Sequence, residues 1–293
     1  MQKITPFLWF EGNAEQAIDF YISLFENSKL VSIDKYPDFM PEMAGKVLTG
    51  VFELNGKQFM AIDGGPMFKL NPAISFFVNL QSEQKLDELW NKLADGGKAL
   101  MPYDKYPFAE KYGWVQDKYG VSWQISLTKE ETKIVPSLMF THGNFGKAEE
   151  AMNFYTSLFD NSKLGMIARY GEEMGDQAGK ISYAEFILSG LDFKIMENNG
   201  DHDFNFSEAI SLYVDCVDQV EVDKLWNSLI ADGGEESQCG WLKDKYGVSW
   251  QIIPRRLPEL LKDKDRDRAN KAMQAMLQMK KIDVSELEKA YNS

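Results

Sequence analysis

The sequence predicts an α+β protein in which one domain-sized fold occurs twice in tandem, each copy a pair of βαβββ modules, followed by a helical tail. Three observations predict it. The string DKYGVSWQI stands at Asp117–Ile125 and again at Asp244–Ile252. Shorter strings recur around it in the same order: FYISLF and FYTSLF (Phe20–Phe25, Phe154–Phe159), NSKL (Asn27–Leu30, Asn161–Leu164), AIS (Ala73–Ser75, Ala209–Ser211) and ADGG (Ala94–Gly97, Ala231–Gly234). Within a copy, a strand, a helical pattern and further short strands follow one another, and then the order restarts. A period of domain length means duplication, not a solenoid.

The elements of the first copy follow in turn. Ile4–Phe10 is an apolar run of strand length, and Asn13 is placed to cap the helix behind it, with Glu15 in its first turn. Ala14–Phe25 sets Ala17, Phe20, Tyr21, Leu24 and Phe25 on one helical face. Strands are expected at Leu30–Tyr36, Val47–Leu54 and Phe59–Asp63, the last two joined by Asn55-Gly56, a strong hairpin signal. The second module begins with a strand at Ile74–Leu80. Its helix, Glu83–Leu93, carries Leu86, Leu89, Trp90 and Leu93 on one face and stops at Gly96-Gly97. Val121–Leu127 closes the copy. The expected organisation is a first domain at 1–127, a polar linker at 128–133, a second domain at 134–254 and a tail at 255–293. In the tail, Asp265–Lys281 places Ala269, Met273, Met276, Leu277 and Lys280 at helical spacing. A second helix is expected at Val284–Tyr291, capped by Asp283 or Ser285. A methionine stripe of this kind packs against the protein's own domains or a second subunit.

Composition narrows the function classes. A net charge of −13 repels nucleic-acid phosphates and anionic membrane surfaces, so neither is expected as a partner. No apolar stretch reaches membrane-span length, and the N-terminal apolar run is too short for a signal-peptide core. Cys216 and Cys239 are the only cysteines, which favours a reducing cytoplasm over a disulfide framework.

ITPFLWFEGNAEQAIDFYISLF (Ile4–Phe25), the turn Asp63-Gly64-Gly65-Pro66 and GWLKDKYGVSWQIIP (Gly240–Pro254) resemble the PhnB-like branch of the vicinal-oxygen-chelate superfamily, which includes glyoxalase I, extradiol dioxygenases and bleomycin-resistance proteins. The resemblance implies a glyoxalase-like fold in which two modules form a cupped sheet around a pocket. Four inward positions there commonly hold His, Glu or Gln ligands for a divalent metal. Alternation along strands turns Thr5, Phe7 and Trp9 inward, with Ala73, Ser75 and Phe77, and with Ser122, Gln124 and Ser126. The four positions then read Thr5, Asp63, Ala73 and Gln124 in the first copy, and Val135, Glu197, Ala209 and Gln251 in the second. One carboxylate and one amide per set fall short of a transition-metal site. No metal site and no cofactor are expected, with a weakly held divalent ion left open.

The candidate pocket residues are Thr5, Phe7, Trp9, Asp63, Ser75 and Gln124, with Glu197, Ser211 and Gln251 from the second copy. A buried carboxylate such as Asp63 or Glu197 would serve as a general base if burial raised its pKa. The loop from Gly97 to Gly113 is longer than its counterpart from Gly234 to Gly240, and carries Tyr103, Tyr106 and Phe108 as a candidate lid or a surface insertion. The second copy inserts Phe145-Gly146-Lys147 before its first helix. His142 and His202 lie in loops, and Cys239 precedes Gly240-Trp241 as a small buried residue or a nucleophile. GVFELNGK (Gly50–Lys57) has the wrong spacing for a P-loop. No strand–GxGxG–helix arrangement supports the methyl transfer for which some members of this branch are named. The expected function is small-molecule binding in a cupped sheet. Non-standard enzyme chemistry, ligand sequestration and a pocket-filled scaffold are the alternatives. The chain would be an intramolecular pseudo-dimer, with a homodimer left open.

Overall fold

The computed structural model describes residues 2–37 and 40–293. Contacts divide it into two compact units, residues 6–210 and residues 211–293 with the N-terminal segment up to residue 5. Four modules of one design build these units. Module 1 comprises β1 (Ile4–Phe10), α1 (Ala14–Leu24), β2 (Lys29–Lys35), β3 (Val47–Leu54) and β4 (Lys57–Asp63). Module 2 comprises β5 (Ile74–Leu80), α2 (Glu83–Ala94), β6 (Lys98–Tyr106), β7 (Ala109–Gln116) and β8 (Ser122–Leu127). Module 3 comprises β9 (Lys133–Phe140), α3 (Ala148–Leu158), β10 (Lys163–Arg169), β11 (Ile181–Leu188) and β12 (Leu191–Glu197). Module 4 comprises β13 (Ile210–Cys216), α4 (Gln219–Ile230), β14 (Glu235–Glu236), β15 (Trp241–Lys243) and β16 (Ser249–Pro254). In each module the first strand runs parallel to the last, because a helix carries the chain back across the sheet.

The larger unit contains an eight-stranded sheet of order β10-β11-β12-β9-β5-β8-β7-β6. Modules 2 and 3 meet in it through the antiparallel pair β5/β9, with Ser75 opposite Ser137 and Phe77 opposite Val135. One sheet therefore takes one module from each sequence copy. Its helix-side face is apolar: Trp123 packs on Tyr21 at 5.4 Å and on Phe25 at 5.6 Å, and Phe76 on Phe59 at 5.1 Å.

The repeated strings are local devices. Asp117 Oδ1 accepts the amides of Tyr119 (2.8 Å) and Val121 (3.1 Å), and its Oδ2 accepts the Trp123 indole N–H at 2.8 Å. Asp244 does the same with Tyr246, Val248 and Trp250 at 2.9, 3.0 and 2.9 Å. DKYGVSWQI is thus a turn that ties itself to the strand it launches. Asn55-Gly56 forms the expected hairpin, both residues at positive φ (48° and 74°).

The tail forms α5 (Arg256–Leu261), α6 (Arg266–Met276) and α7 (Val284–Asn292). Asp283 caps α7 by accepting the amides of Ser285 and Glu286. The long helix expected to Lys281 ends at Met276, because the carbonyls of Met279 and Lys280 accept the amides of Cys239 and Gly240, both at 2.7 Å. Among the described residues no helix is long and apolar enough to cross a membrane.

Candidate functional site

Alternation places Ser75, Gln124, Ser137 and Lys194 on one face of the eight-stranded sheet, opposite the helix-side face that carries Phe76 and Trp123. These polar residues are 1%, 2%, 0% and 5% exposed, so they are withdrawn from water on a face where strands normally place apolar side chains. Tyr112 donates its hydroxyl to Gln124 Oε1 at 2.6 Å, and Gln124 Nε2 donates to Ser75 Oγ at 2.8 Å. Among the described residues the buried Ser137 Oγ has no hydrogen-bond partner. Lys194, opposite Ser137 in the ladder, donates to the Tyr183 hydroxyl, which donates in turn to Glu185. Lys194 Nζ also lies 3.3 Å from Glu185 Oε1 and 4.1 Å from the centroid of the Phe77 ring. Burial holds the Lys194 amine below the ordinary lysine value, against the opposite pull of Glu185. Burial raises the Tyr183 and Tyr112 phenols, so both remain donors.

A cavity of about 130 Å³ opens beside Lys194, walled also by Asn79, Lys133, Val135, Lys163 and Glu185. Away from it, Tyr112, Trp114 and Met139 pack with Phe77, Met196, Tyr106 and Phe204 into an apolar and aromatic patch.

The candidate pocket residues of the two copies are divided between the two units. Thr5, Ser211 and Gln251 belong to the smaller unit, and Phe7, Trp9, Asp63, Ser75, Gln124 and Glu197 to the larger. Gln251 Nε2 donates to Ser211 Oγ at 2.9 Å, repeating the Gln124–Ser75 pair. Asp63 and Glu197 are taken up by backbone amides. Asp63 shares its strand face with Phe59 and Ala61, on the helix side, and its Oδ1 accepts the amides of Gly12 and Ala14, both at 2.9 Å, while Oδ2 accepts Val47 N at 3.0 Å. Asp63 therefore takes the capping role expected of Asn13, whose side chain makes no cap bond. Glu197 does the same for α3, accepting Gly146 N (2.6 Å), Ala148 N (3.4 Å) and Ile181 N (2.7 Å). Its longer side chain accompanies the Phe145-Gly146-Lys147 insertion. Carboxylates committed to three amides each are structural, not general bases.

Trp9 donates its indole N–H to Gly65 O at 2.7 Å and packs on Phe68. A Cβ at Gly64 would stand 2.1 Å from the Trp9 ring, which is why the Asp63-Gly64-Gly65-Pro66 turn needs glycine there. Phe7 is buried opposite Met60. The long loop is the β6–β7 hairpin, and its aromatics divide. Tyr103 stacks on Trp90 and donates to Asp87 at 2.7 Å, which fixes it on α2 and away from any lid position. Tyr106 and Phe108 do pack on Tyr112, at 5.6 and 5.2 Å between centroids. His142 is exposed, whereas His202 is half-buried, 2.9 Å from Asn198 Oδ1 and against Phe204. Burial lowers the His202 pKa. Burial also raises the Cys239 thiol, which makes it a poor nucleophile.

In the smaller unit the tail covers the corresponding face of module 4. Tyr213 and Ile253, on the Ser211 and Gln251 side of their strands, pack with Leu257, Leu260, Ala272, Ile282 and Leu287. Module 4 thus buries against its own chain the face that module 2 keeps for the polar row.

Among the described residues no three His, Cys, Asp or Glu side chains stand close enough to hold a metal ion. The polar row offers an amide, two hydroxyls and an ammonium, which does not fit a divalent cation, because the ammonium repels it. Sequence reasoning missed Ser137, Lys194, Tyr183 and Glu185. The available signal was a comparison of the copies: FMAID (Phe59–Asp63) against FKIME (Phe193–Glu197) puts a lysine inside a strand where the first copy has Met60.

Comparison with known proteins agrees with this architecture. The family model described as 3-demethylubiquinone-9 3-methyltransferase matches residues 2–126 and again 132–253. Protein YjdN of Escherichia coli (strain K12) is 26% identical over 144 residues, 44% of this chain and 97% of YjdN. A structure described as a putative 3-demethylubiquinone-9 3-methyltransferase, PhnB protein, from Bacillus cereus is 48% identical, covering 43% of this chain and 100% of that one, with a TM-score of 0.42. Glyoxalase I from Zea mays is 12% identical but covers 85% of this chain and 90% of its own, with a TM-score of 0.57, a likeness of fold alone. The chain belongs to the 3-demethylubiquinone-9 3-methyltransferase family, the PhnB-like branch of the vicinal-oxygen-chelate superfamily, as a member that carries the family fold twice.

Proposed function

We propose that this chain is a binding protein for a small molecule, held without a divalent metal on the face of the eight-stranded sheet opposite its helix side. The buried row Gln124–Ser75–Ser137–Lys194 carries the proposal. Polar groups withdrawn from water cost stability unless they are paired, and one of these hydroxyls has no partner. A cavity that reaches the row at Lys194, and an apolar and aromatic patch around Tyr112 and Phe77 at its other end, are the ordinary furnishings of a ligand site. Tyr106 and Phe108 would cover the bound molecule from the β6–β7 hairpin. Module 4 is assigned no ligand, since its equivalent face is filled by the tail. The methyl transfer in the family's name has no part in this proposal, and a reducing cytoplasm is the proposed location.

The test is a thermal-shift and tryptophan-fluorescence screen over small metabolites, with W114F as the control for signal from this face. Saturable binding with the ligand recovered unchanged supports a binding protein. Turnover of the bound molecule would replace it with an enzyme. Binding that survives intact in S75A, S137A and K194M would sink the assignment to this face.

A further inference from the structure

Resting on that proposed binding role, we propose that the ligand is a small carboxylate with a planar apolar body, its carboxylate seated between the Lys194 ammonium and the Ser137 hydroxyl. The two copies make the case. In module 1 the parallel strands β1 and β4 place Phe7 opposite Met60. In module 3 the same positions, KIVPSLMF against KITPFLWF and FKIME against FMAID, place Ser137 opposite Lys194. An apolar pair has become a hydroxyl and an ammonium together. Along the neighbouring strand Thr49 and Val51 correspond to Tyr183 and Glu185, the groups that contact Lys194. Module 1 builds the same strands with Phe and Met, so the ladder does not require the polar set.

The two donors are under-used. Ser137 Oγ is fully buried with no acceptor. The carboxylate partner of Lys194, Glu185, is 45% exposed along its side chain, whereas the Lys194 side chain is 7% exposed. The acceptors that Lys194 meets, the Tyr183 hydroxyl and Glu185, both stand on β11, and a second anion reaching Ser137 would add a charged partner from β9. A carboxylate presents two oxygens to match the two donors. A phosphate would bring a third oxygen against Phe77, Val135 and Met139, which offer side-chain donors to none of its oxygens. The same residues, with Tyr112 and Trp114, suit a flat apolar body. Glu185 is the anion that opposes such a ligand, so its neutralisation should tighten binding.

The experiment titrates benzoate, benzamide and benzylamine into the full chain, reading tryptophan fluorescence, with W114F as the location control. Benzoate is expected to bind at least about ten-fold tighter than benzamide, the scale of one charge-assisted hydrogen bond. K194M, which restores the residue of module 1, should abolish that preference. S137A should weaken benzoate about five-fold and leave benzamide unchanged, and E185Q should tighten benzoate. Circular dichroism checks that each variant keeps the fold. Benzamide or benzylamine binding as tightly as benzoate, with K194M indifferent, overturns the carboxylate while leaving the binding face in place. Failure of all three probes to bind up to their solubility overturns the aromatic carboxylate, and the metabolite screen then decides the binding face by itself.

Discussion

The replacement Asp63→Asn tests whether this carboxylate holds the fold together or serves a ligand. Its Oδ1 holds Gly12 N and Ala14 N at the start of α1, and its Oδ2 holds Val47 N at the start of β3. Asparagine keeps the Oδ1 acceptor but turns an NH₂ group against the Val47 N–H, donor facing donor. Val47 is buried, so its amide finds no water instead. One hydrogen bond to a charged acceptor is worth about 1.5–3 kcal/mol, and the unsatisfied amide adds a desolvation cost of about 1–3 kcal/mol. Removing negative charge from a helix N-terminus costs roughly 0.3–1 kcal/mol more. The expected loss is about 3–7 kcal/mol, or roughly 10–20 °C in Tm for a unit of this size. Urea unfolding followed by far-UV circular dichroism measures it. E15Q, which breaks an exposed ion pair with Lys35 near the same helix end, is the control, expected below about 1 kcal/mol. A D63N variant within about 0.5 kcal/mol of wild type, or one that keeps its stability and loses ligand binding, would refute the structural role.

Other perturbations follow from the same contacts. W123F removes the indole donor to Asp117 and W250F the one to Asp244. Each should cost about 2–4 kcal/mol in denaturant unfolding, and a loss under ~0.5 kcal/mol would show that the cassette is ornamental. Burial pushes the Cys216 thiol up to about 12 and raises Cys239 as well, so a disulfide reagent at pH 8 should label Cys216 only on unfolding and Cys239 slowly. Rapid labelling of Cys239 in the native protein would revive it as a nucleophile. Lys194 faces Glu185 and Tyr183 from β11, Asp192 on its own strand and Glu130 from the linker, yet burial still lowers its pKa. Between that lowered value and the ordinary 10.5 the unfolded chain binds more protons than the folded one, so this group makes stability rise with pH in that window. K194M should therefore be at least as stable as wild type at pH 7, with its advantage shrinking as pH approaches 10. An advantage that grows with pH would contradict the burial penalty.

What the sequence by itself determined is local. The duplication, the βαβββ order, the Asn55-Gly56 hairpin and the Asp117 and Asp244 cassettes all use partners a few residues apart, whose spacing is written in the chain, and the same local spacing narrowed the α7 cap to Asp283 or Ser285. The Ser75–Gln124 and Ser211–Gln251 pairs were half legible, because AIS and SWQI recur in order and parallel pairing brings them side by side. Tertiary structure decided the rest. Nothing local tells module 2 to join module 3, since every module carries the same strand pattern; the β5/β9 pairing settles it. Asp63 and Glu197 stand at a strand end, where alternation alone does not show that amides from a helix start and another strand converge on them. Lys194 looks like an ordinary strand lysine until burial shows its ammonium held beside Phe77, opposite a hydroxyl with no partner. Local signals reach only as far as one turn or one ladder step. The polar row draws on β5, β8, β9 and β12, with the partners of Lys194 on β11, so only the folded sheet assembles it.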